Sequence, residues 1–192
     1  QKVSRMVTRL GSMLRISILQ REEITVAQEL DHLLSYLEIQ KYRFDDLFQF
    51  DIDVPPSLMN CLMPKLTLQP LVENCIQHGF EGIGYMGHIR VTAREEGERI
   101  AFCVEDNGIG IPPERLAAIE VVPDASSGHG DAPETGERRG LGVRNVADRI
   151  RIRYGDRYGL FVCSEPGRGT VIKIVIPKMA GGVAREAEGD AR

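Results

Sequence analysis

Asp106-Asn107-Gly108-Ile109-Gly110-Ile111-Pro112 follows directly on the alternating run Ile100, Phe102, Val104. The alternation predicts a half-buried strand, so Asp106 falls at a strand end. A carboxylate there can accept a hydrogen bond from an exocyclic amine. Gly108 and Gly110 let the backbone approach a flat ring closely. The plainer reading is a tight turn, since Asn-Gly is a common turn dipeptide. A dinucleotide fingerprint is excluded: there is no G-x-G-x-x-G, and Pro112 stands where the helix should begin.

Working outward, Ile89, Val91 and Ala93 mark a preceding strand, and Glu95-Glu96-Gly97-Glu98 is the turn that makes the two a hairpin. Upstream, Phe48, Phe50 and Ile52 alternate with polar residues until Pro55-Pro56 stops the strand. Val26, Leu30, Leu33, Leu34 and Leu37 recur at helical spacing after Thr25 and Gln28, a capping-box pair, which predicts a helix over 26–43. A similar stripe from Val3 to Leu14 predicts another over about 1–20. These two helices read as a bundle hairpin or dimer seam, or as cover for a sheet. Downstream, residues 112–139 are rich in Gly, Pro, Ser and Glu without periodicity, as in a functional lid or a disordered stretch. A helix at about 142–154 and strands at 158–164 and 170–176 follow. The stretch from Ala180 reads as a disordered tail. The order implies an α+β fold: a mixed, mostly antiparallel five-stranded sheet with helices on one face, preceded by N-terminal helices.

Two further segments carry chemistry. Pro64 is read as opening a helix whose buried stripe is Leu68, Leu71, Val72, Cys75 and Ile76, ended by Gly79 as C-cap. On it, Asn74 and His78 are four apart and share a face. An amide carbonyl so placed can ligate a hard cation such as Mg²⁺; the alternative is a polar helix edge in water. Gly140-Leu141-Gly142-Val143-Arg144-Asn145 enters the later helix. Free N–H groups and the dipole at a helix start suit phosphate, and Arg138, Arg139 and Arg144 add charge.

Composition limits the choices. The chain has 192 residues, 42% hydrophobic and 27% charged, with net charge −4, which gives no basic footprint for nucleic acid. Cys61, Cys75, Cys103 and Cys163 are far apart among apolar residues and form no C-x-x-C pair, so they read as buried, reduced thiols rather than a zinc site. No apolar run reaches transmembrane length. The chain begins at Gln1 rather than Met and reads as a fragment.

In order and context these motifs resemble the GHKL (Bergerat) ATP-binding fold of gyrase, Hsp90, histidine kinases and MutL, and more closely the sensor histidine kinases of the LytS/YesM type. Leu68-Gln69-Pro70-Leu71-Val72-Glu73-Asn74 with His78-Gly79 is similar to the N box of that family, Asp106 to Pro112 to its G1 box, and Gly140 to Asn145 to its G2 box. Gly167-Arg168-Gly169-Thr170 is similar to its final Gly-Thr motif, and Tyr36 to Phe44 to a stretch typical of the subgroup.

The resemblance implies a two-layer α/β sandwich. It divides the chain into 1–45, the end of a helical dimerisation and phosphoacceptor region; 46–178, the ATP-binding domain; and a tail, 179–192. It implies ATP and Mg²⁺ as cofactors, with Asn74 holding the metal and Asp106 reading the adenine amine. Gly108, Gly110 and Ile111 would line the ring and the lid start. Gly140, Leu141, Gly142 and Arg144 would meet phosphate, and Thr170 the adenine. His78 contacts the nucleotide or the helix dipole, and Glu73 joins Asn74 and His78 as a catalytic candidate. Gln77 stands where many members carry Lys or Arg. None of His32, His78, His88 and His129 lies in the family's Pro-His-Phe context, so the acceptor histidine is expected upstream of Gln1. The implied partners are that histidine helix and a response regulator. The implied setting is a cytoplasmic domain of a membrane-anchored homodimeric parent.

Phosphoryl transfer to histidine leads the functional readings. An ATPase clamp places a water-activating Glu one helical turn before the Asn, where this chain has Pro70. The third reading is a non-catalytic nucleotide-binding and dimerisation module.

Overall fold

The computed structural model describes residues 22–44, 47–119 and 141–181. The expected helix over 1–20, most of the lid, Gly140 and the tail from residue 182 lie outside them.

Strand β1 (Glu23–Thr25) leads into helix α1 (Val26–Arg43). The expected capping box forms: the Gln28 N–H donates to Thr25 Oγ1 at 3.2 Å, and the Thr25 N–H donates to Gln28 Oε1 at 3.0 Å. Two of the helix's unpaired N–H groups are satisfied elsewhere, at the carbonyls of Cys61 (from Val26, 2.8 Å) and Met59 (from Ala27, 3.0 Å). Val26, Leu30, Leu33, Tyr36 and Leu37 of α1 are buried, whereas Leu34 is 37% exposed at the edge of the stripe. At about 1.5–3 kcal/mol for each large apolar side chain, this burial fixes α1 to the rest of the fold.

A five-stranded sheet follows in the order β2-β4-β5-β7-β6. Its strands are β2 (Phe48–Asp53), β4 (Gly87–Glu96), β5 (Arg99–Asp106), β6 (Gly159–Glu165) and β7 (Gly169–Pro177). Only β2 and β4 pair in parallel; the other three pairings are antiparallel. The β4–β5 turn falls at Gly97, as its sequence predicts.

Helix α2 (Gln69–Asn74) continues through a π-helical turn (Cys75–Gly79), and helix α4 (Leu141–Tyr154) precedes β6. Buried side chains of α1, α2, α4 and the sheet form one hydrophobic cluster. The fold is therefore α+β with helices on one sheet face, as the sequence predicts. The division expected at residue 45 marks no break in packing, because α1 belongs to the same core.

Several expectations are corrected. Pro64 ends a short strand, β3 (Leu62–Pro64), paired antiparallel with β1 opposite Glu23. A three-residue strand has too little periodicity to read. Helix α2 begins five residues later, with Pro70 in its first turn. Gly79 is not a left-handed cap: the helix widens, and the Phe80 N–H reaches the Cys75 carbonyl at 3.0 Å. Pro113–Ile119 forms helix α3 inside the expected lid. Ala180, expected in the tail, bridges to Cys61, and the Gly181 N–H donates to the Asn60 carbonyl at 2.8 Å, so these two residues are tied to the fold. Cys61 and Cys75 are buried, but Cys163 is exposed, because its position on β6 faces away from the helices. No helix among the described residues is long and apolar enough to cross a membrane.

Candidate nucleotide-binding site

Asp106 ends β5, opposite Thr170 of β7. The Gly108 N–H donates to Asp106 Oδ1 at 2.8 Å, which turns the chain sharply after the strand. Burial pushes the Asp106 carboxyl up from its usual range, against the lowering effect of hydrogen bonds from the Gly108 and Thr170 backbone. This acceptor is half-buried and incompletely solvated, and therefore sensitive to a donor brought by a ligand.

The loop after Asp106 is locked between two neighbours. The Ile109 N–H donates to the Gly79 carbonyl at 2.8 Å, so the loop satisfies the last carbonyl of the π turn, which no helix residue can reach. A Cβ on Gly108 would lie 2.2 Å from that same carbonyl oxygen; only glycine permits the approach. Gly110 has φ +71°, and a Cβ there would lie 2.2 Å from the Glu165 carbonyl oxygen. The next N–H, of Ile111, donates to Ser164 Oγ at 2.8 Å. Ser164 donates in turn to the Gly169 carbonyl at 2.8 Å and lies 3.0 Å from Thr170 Oγ1. Thr170 is 7% exposed. Asp106, Gly108, Gly110, Ile111 and Thr170, collected from the sequence, thus converge with Gly79 and Ser164.

Asn74 lies immediately before Cys75, whose buried thiol donates to the Leu71 carbonyl at 3.3 Å. Asn74 Nδ2 is buried and has no hydrogen-bond partner. A Cβ on Gly142 would lie 3.7 Å from that atom and 3.5 Å from Pro70 Cβ, so the first turn of α4 rests on the helix that carries Asn74. An orphaned buried amide asks for a partner that the described residues do not supply. His78 is half-buried on the π turn.

Two expected residues have partners on their own helices. Glu73 accepts a hydrogen bond from Gln77 Nε2 at 2.7 Å, and its charge adds to the burial that raises the Tyr36 phenol of α1. Arg144 is exposed and lies 4.0 Å from Asp148 in an i,i+4 ion pair. Leu141 opens α4.

Sequence reasoning missed Glu29 and Arg149. Glu29 of α1 is fully buried and accepts from the N–H groups of Leu66 (2.9 Å), Thr67 (2.7 Å) and Leu68 (2.8 Å). Arg149 of α4 donates to the carbonyls of Lys65 (2.9 Å) and Leu66 (2.7 Å). A signal for Glu29 was present: it lies three residues after Val26 and four before Leu33, inside an apolar stripe.

A one-faced mixed sheet, a carboxylate at a central strand end, and glycine-bounded loops facing a helix that carries an orphaned amide define the class: an α+β nucleotide-binding domain. The family described as histidine kinase-, DNA gyrase B-, and HSP90-like ATPase matches residues 63–180, and the family described as histidine kinase matches residues 1–48. The chain belongs to the histidine kinase-, DNA gyrase B- and HSP90-like ATPase family and carries its ATP-binding domain.

Its relatives are of the histidine kinase branch. Sensor histidine kinase YesM of Bacillus subtilis (strain 168) is 35% identical over 178 residues, and sensor histidine kinase BtsS of Escherichia coli (strain K12) is 33% identical over 178. Each alignment covers 92% of this chain, and the chain spans 28% of the length of each relative. Among solved structures, histidine kinase ThkA in complex with response regulator protein TrrA matches with TM-score 0.54 at 17% identity, covering 93% of this chain and 48% of that one.

Proposed function

We propose that this domain positions Mg·ATP for transfer of the γ-phosphoryl group to a histidine upstream of residue 1 in the parent protein. The observation that carries the reading is the convergence of the two halves of the site. Asp106, Gly108 and Thr170 close on Gly79 at one end of the π turn, while Asn74 meets Gly142 at the other.

Asp106 would accept from the adenine amine, with Gly108, Gly110, Ile111 and Thr170 shaping the ring pocket. Gly140, Leu141 and Gly142 would present backbone N–H groups to phosphate at the start of α4, and Arg144 charge beside them. His78 would face the nucleotide from the π turn. Mg²⁺ fits Asn74 in kind, since a single side-chain oxygen with phosphates and waters completes its octahedron. Among the described residues no cluster of three His, Cys, Asp or Glu side chains forms an all-protein cage. When bound, the metal would neutralise phosphate charge. The chain's own residues supply position and electrostatic stabilisation, which is what phosphoryl transfer asks of a protein. The acceptor nitrogen attacks the γ-phosphorus, the bond to the β-phosphate oxygen breaks, and ADP departs with the electron pair. Glu73 accepts a hydrogen bond from Gln77, which supports a helix-face role for it over that of a base for water.

The parent is proposed to be a membrane-anchored homodimer whose phosphohistidine supplies a response regulator, with this domain in the cytoplasm. The ThkA–TrrA complex is the parallel for that partner. The test is to express the chain with its upstream segment restored and incubate it with Mg·ATP labelled at the γ-phosphate. An acid-labile, base-stable phosphoprotein that Asn74→Ala abolishes supports the reading. Label released only as inorganic phosphate would instead indicate an ATPase.

A further inference from the structure

The loop 65–68 enters α2 with no side-chain cap from α2 itself. Its N–H groups are held from one side by Glu29 of α1, at 2.7–2.9 Å, and its carbonyls from the other by Arg149 of α4, at 2.7 and 2.9 Å. Leu66 is gripped at both ends: its N–H donates to Glu29 and its carbonyl accepts from Arg149. It has φ +55° and is the one non-glycine residue at positive φ among those described. A leucine in this left-handed conformation costs about 1–2 kcal/mol, so surrounding bonds must hold it there. The Thr67 hydroxyl donates back to the Pro64 carbonyl at 2.7 Å, which ties the same loop to β3.

The position of this clamp gives it a role beyond stability. Helix α1 lies in the segment that matches the histidine kinase family, residues 1–48. Helix α4 carries Gly142, which packs against Pro70 and Asn74 of α2. The loop is where α1, α2 and α4 are joined by hydrogen bonds at once. A shift of α1 pulls on Leu66, Thr67 and Leu68, and the first turn of α2 begins at the next residue.

We propose that Glu29 and Arg149 are positioning residues of the nucleotide site: through the 65–68 loop they fix α2 relative to α4, and so hold Asn74 in register with Gly142. This rests on the reading of Asn74 and Gly142 as the metal and phosphate end of the site. Neither residue touches nucleotide. Displacement of Asn74 by an ångström is enough to spoil a charge-bearing contact while Asp106, at the other end of the π turn, keeps its own bonds to Gly108 and Thr170.

The test compares affinities of the chain for Mg·ATP and for adenosine, in wild type, Arg149→Lys and Glu29→Gln. Lysine keeps the charge but loses the two-pronged grip; glutamine keeps one acceptor oxygen. In each variant Mg·ATP affinity is expected to fall about tenfold or more while adenosine affinity changes less than about twofold. Equal losses for both ligands, or no loss for Mg·ATP, would overturn the proposal. Hydrogen exchange of the Leu66, Thr67 and Leu68 amides in the unaltered chain is the second measurement. It should slow further on Mg·ATP binding and not on adenosine binding; exchange indifferent to Mg·ATP counts against the clamp even if the variants fail to fold. If the unaltered chain binds adenosine but not Mg·ATP, the phosphate end of the site is misassigned and the clamp reading falls with it.

Discussion

Replacing Glu29 with Ala should be among the most costly single changes in this domain. Glu29 is fully buried, and its two oxygens accept three backbone N–H groups at 2.7–2.9 Å. Alanine leaves all three donors in the interior without an acceptor. Each unsatisfied buried donor costs about 1–3 kcal/mol. The vacated space can admit water, so the sum should fall toward the lower end, about 3–5 kcal/mol. That is a large part of a typical domain stability of about 5–15 kcal/mol. At about 2–4 °C per kcal/mol for a domain of this size, the melting temperature should drop by about 10 °C. Glu29→Gln should lose less, because its one oxygen can keep the Thr67 and Leu68 bonds while its amide faces the Leu66 N–H. Thermal unfolding followed by circular dichroism, at neutral pH, orders the three proteins wild type, Gln, Ala. An Ala variant within about 1 kcal/mol of wild type would refute the argument, since the loop would then be held by something other than this carboxylate.

Three other outcomes follow from the site. Asp106→Asn should raise the melting temperature of the nucleotide-free chain at pH 7. Burial raises the folded-state pKa of Asp106, so its contribution is favourable at low pH and lost as pH rises through the folded value; the two proteins should converge below about pH 4, in a melting series across pH. Gly108→Ala would put a Cβ 2.2 Å from the Gly79 carbonyl oxygen, so the 106–112 loop must move; calorimetry should show adenine binding lost, with about 1–3 kcal/mol of stability. Among the described residues Arg144→Ala breaks an exposed 4.0 Å pair with Asp148, worth about 0–0.5 kcal/mol, so a weaker affinity for ATP without a change in melting temperature would report a phosphate contact.

The parts of the fold readable from the sequence were those with strong local periodicity. Ile89, Val91 and Ala93 are the alternating buried positions of β4, and Ile100, Phe102 and Val104 are buried in β5, where Ala101 between two of them is buried as well. The Thr25–Gln28 capping box fixed the start of α1 to the residue. Short or widened elements escaped because they carry no period. Strand β3 has three residues, and the π turn at Cys75–Gly79 has the composition of an ordinary helix end. At its end the Gly79 carbonyl is taken by Ile109, thirty positions away, a tertiary bond that no local period marks.

The site was legible in the same uneven way. Asp106, Gly108, Gly110 and Thr170 were collected from separate motifs, and the β5–β7 register brings them together. Glu73 and Arg144 shared those motifs, and each also has a partner one helical turn on, Gln77 and Asp148. Ser164 and Arg149 act by bonding to backbone, a role that no spacing rule marks. Glu29 was the exception, since a carboxylate within an apolar stripe must find buried partners.

The central claim is tested most directly by calorimetric titration of ATP into the unaltered chain, with and without Mg²⁺, beside Asp106→Asn and Asn74→Ala. The account predicts that the unaltered chain binds, that Asp106→Asn abolishes binding of adenine nucleotides, and that Asn74→Ala removes the dependence on Mg²⁺. Binding by Asp106→Asn equal to that of the unaltered chain would contradict it.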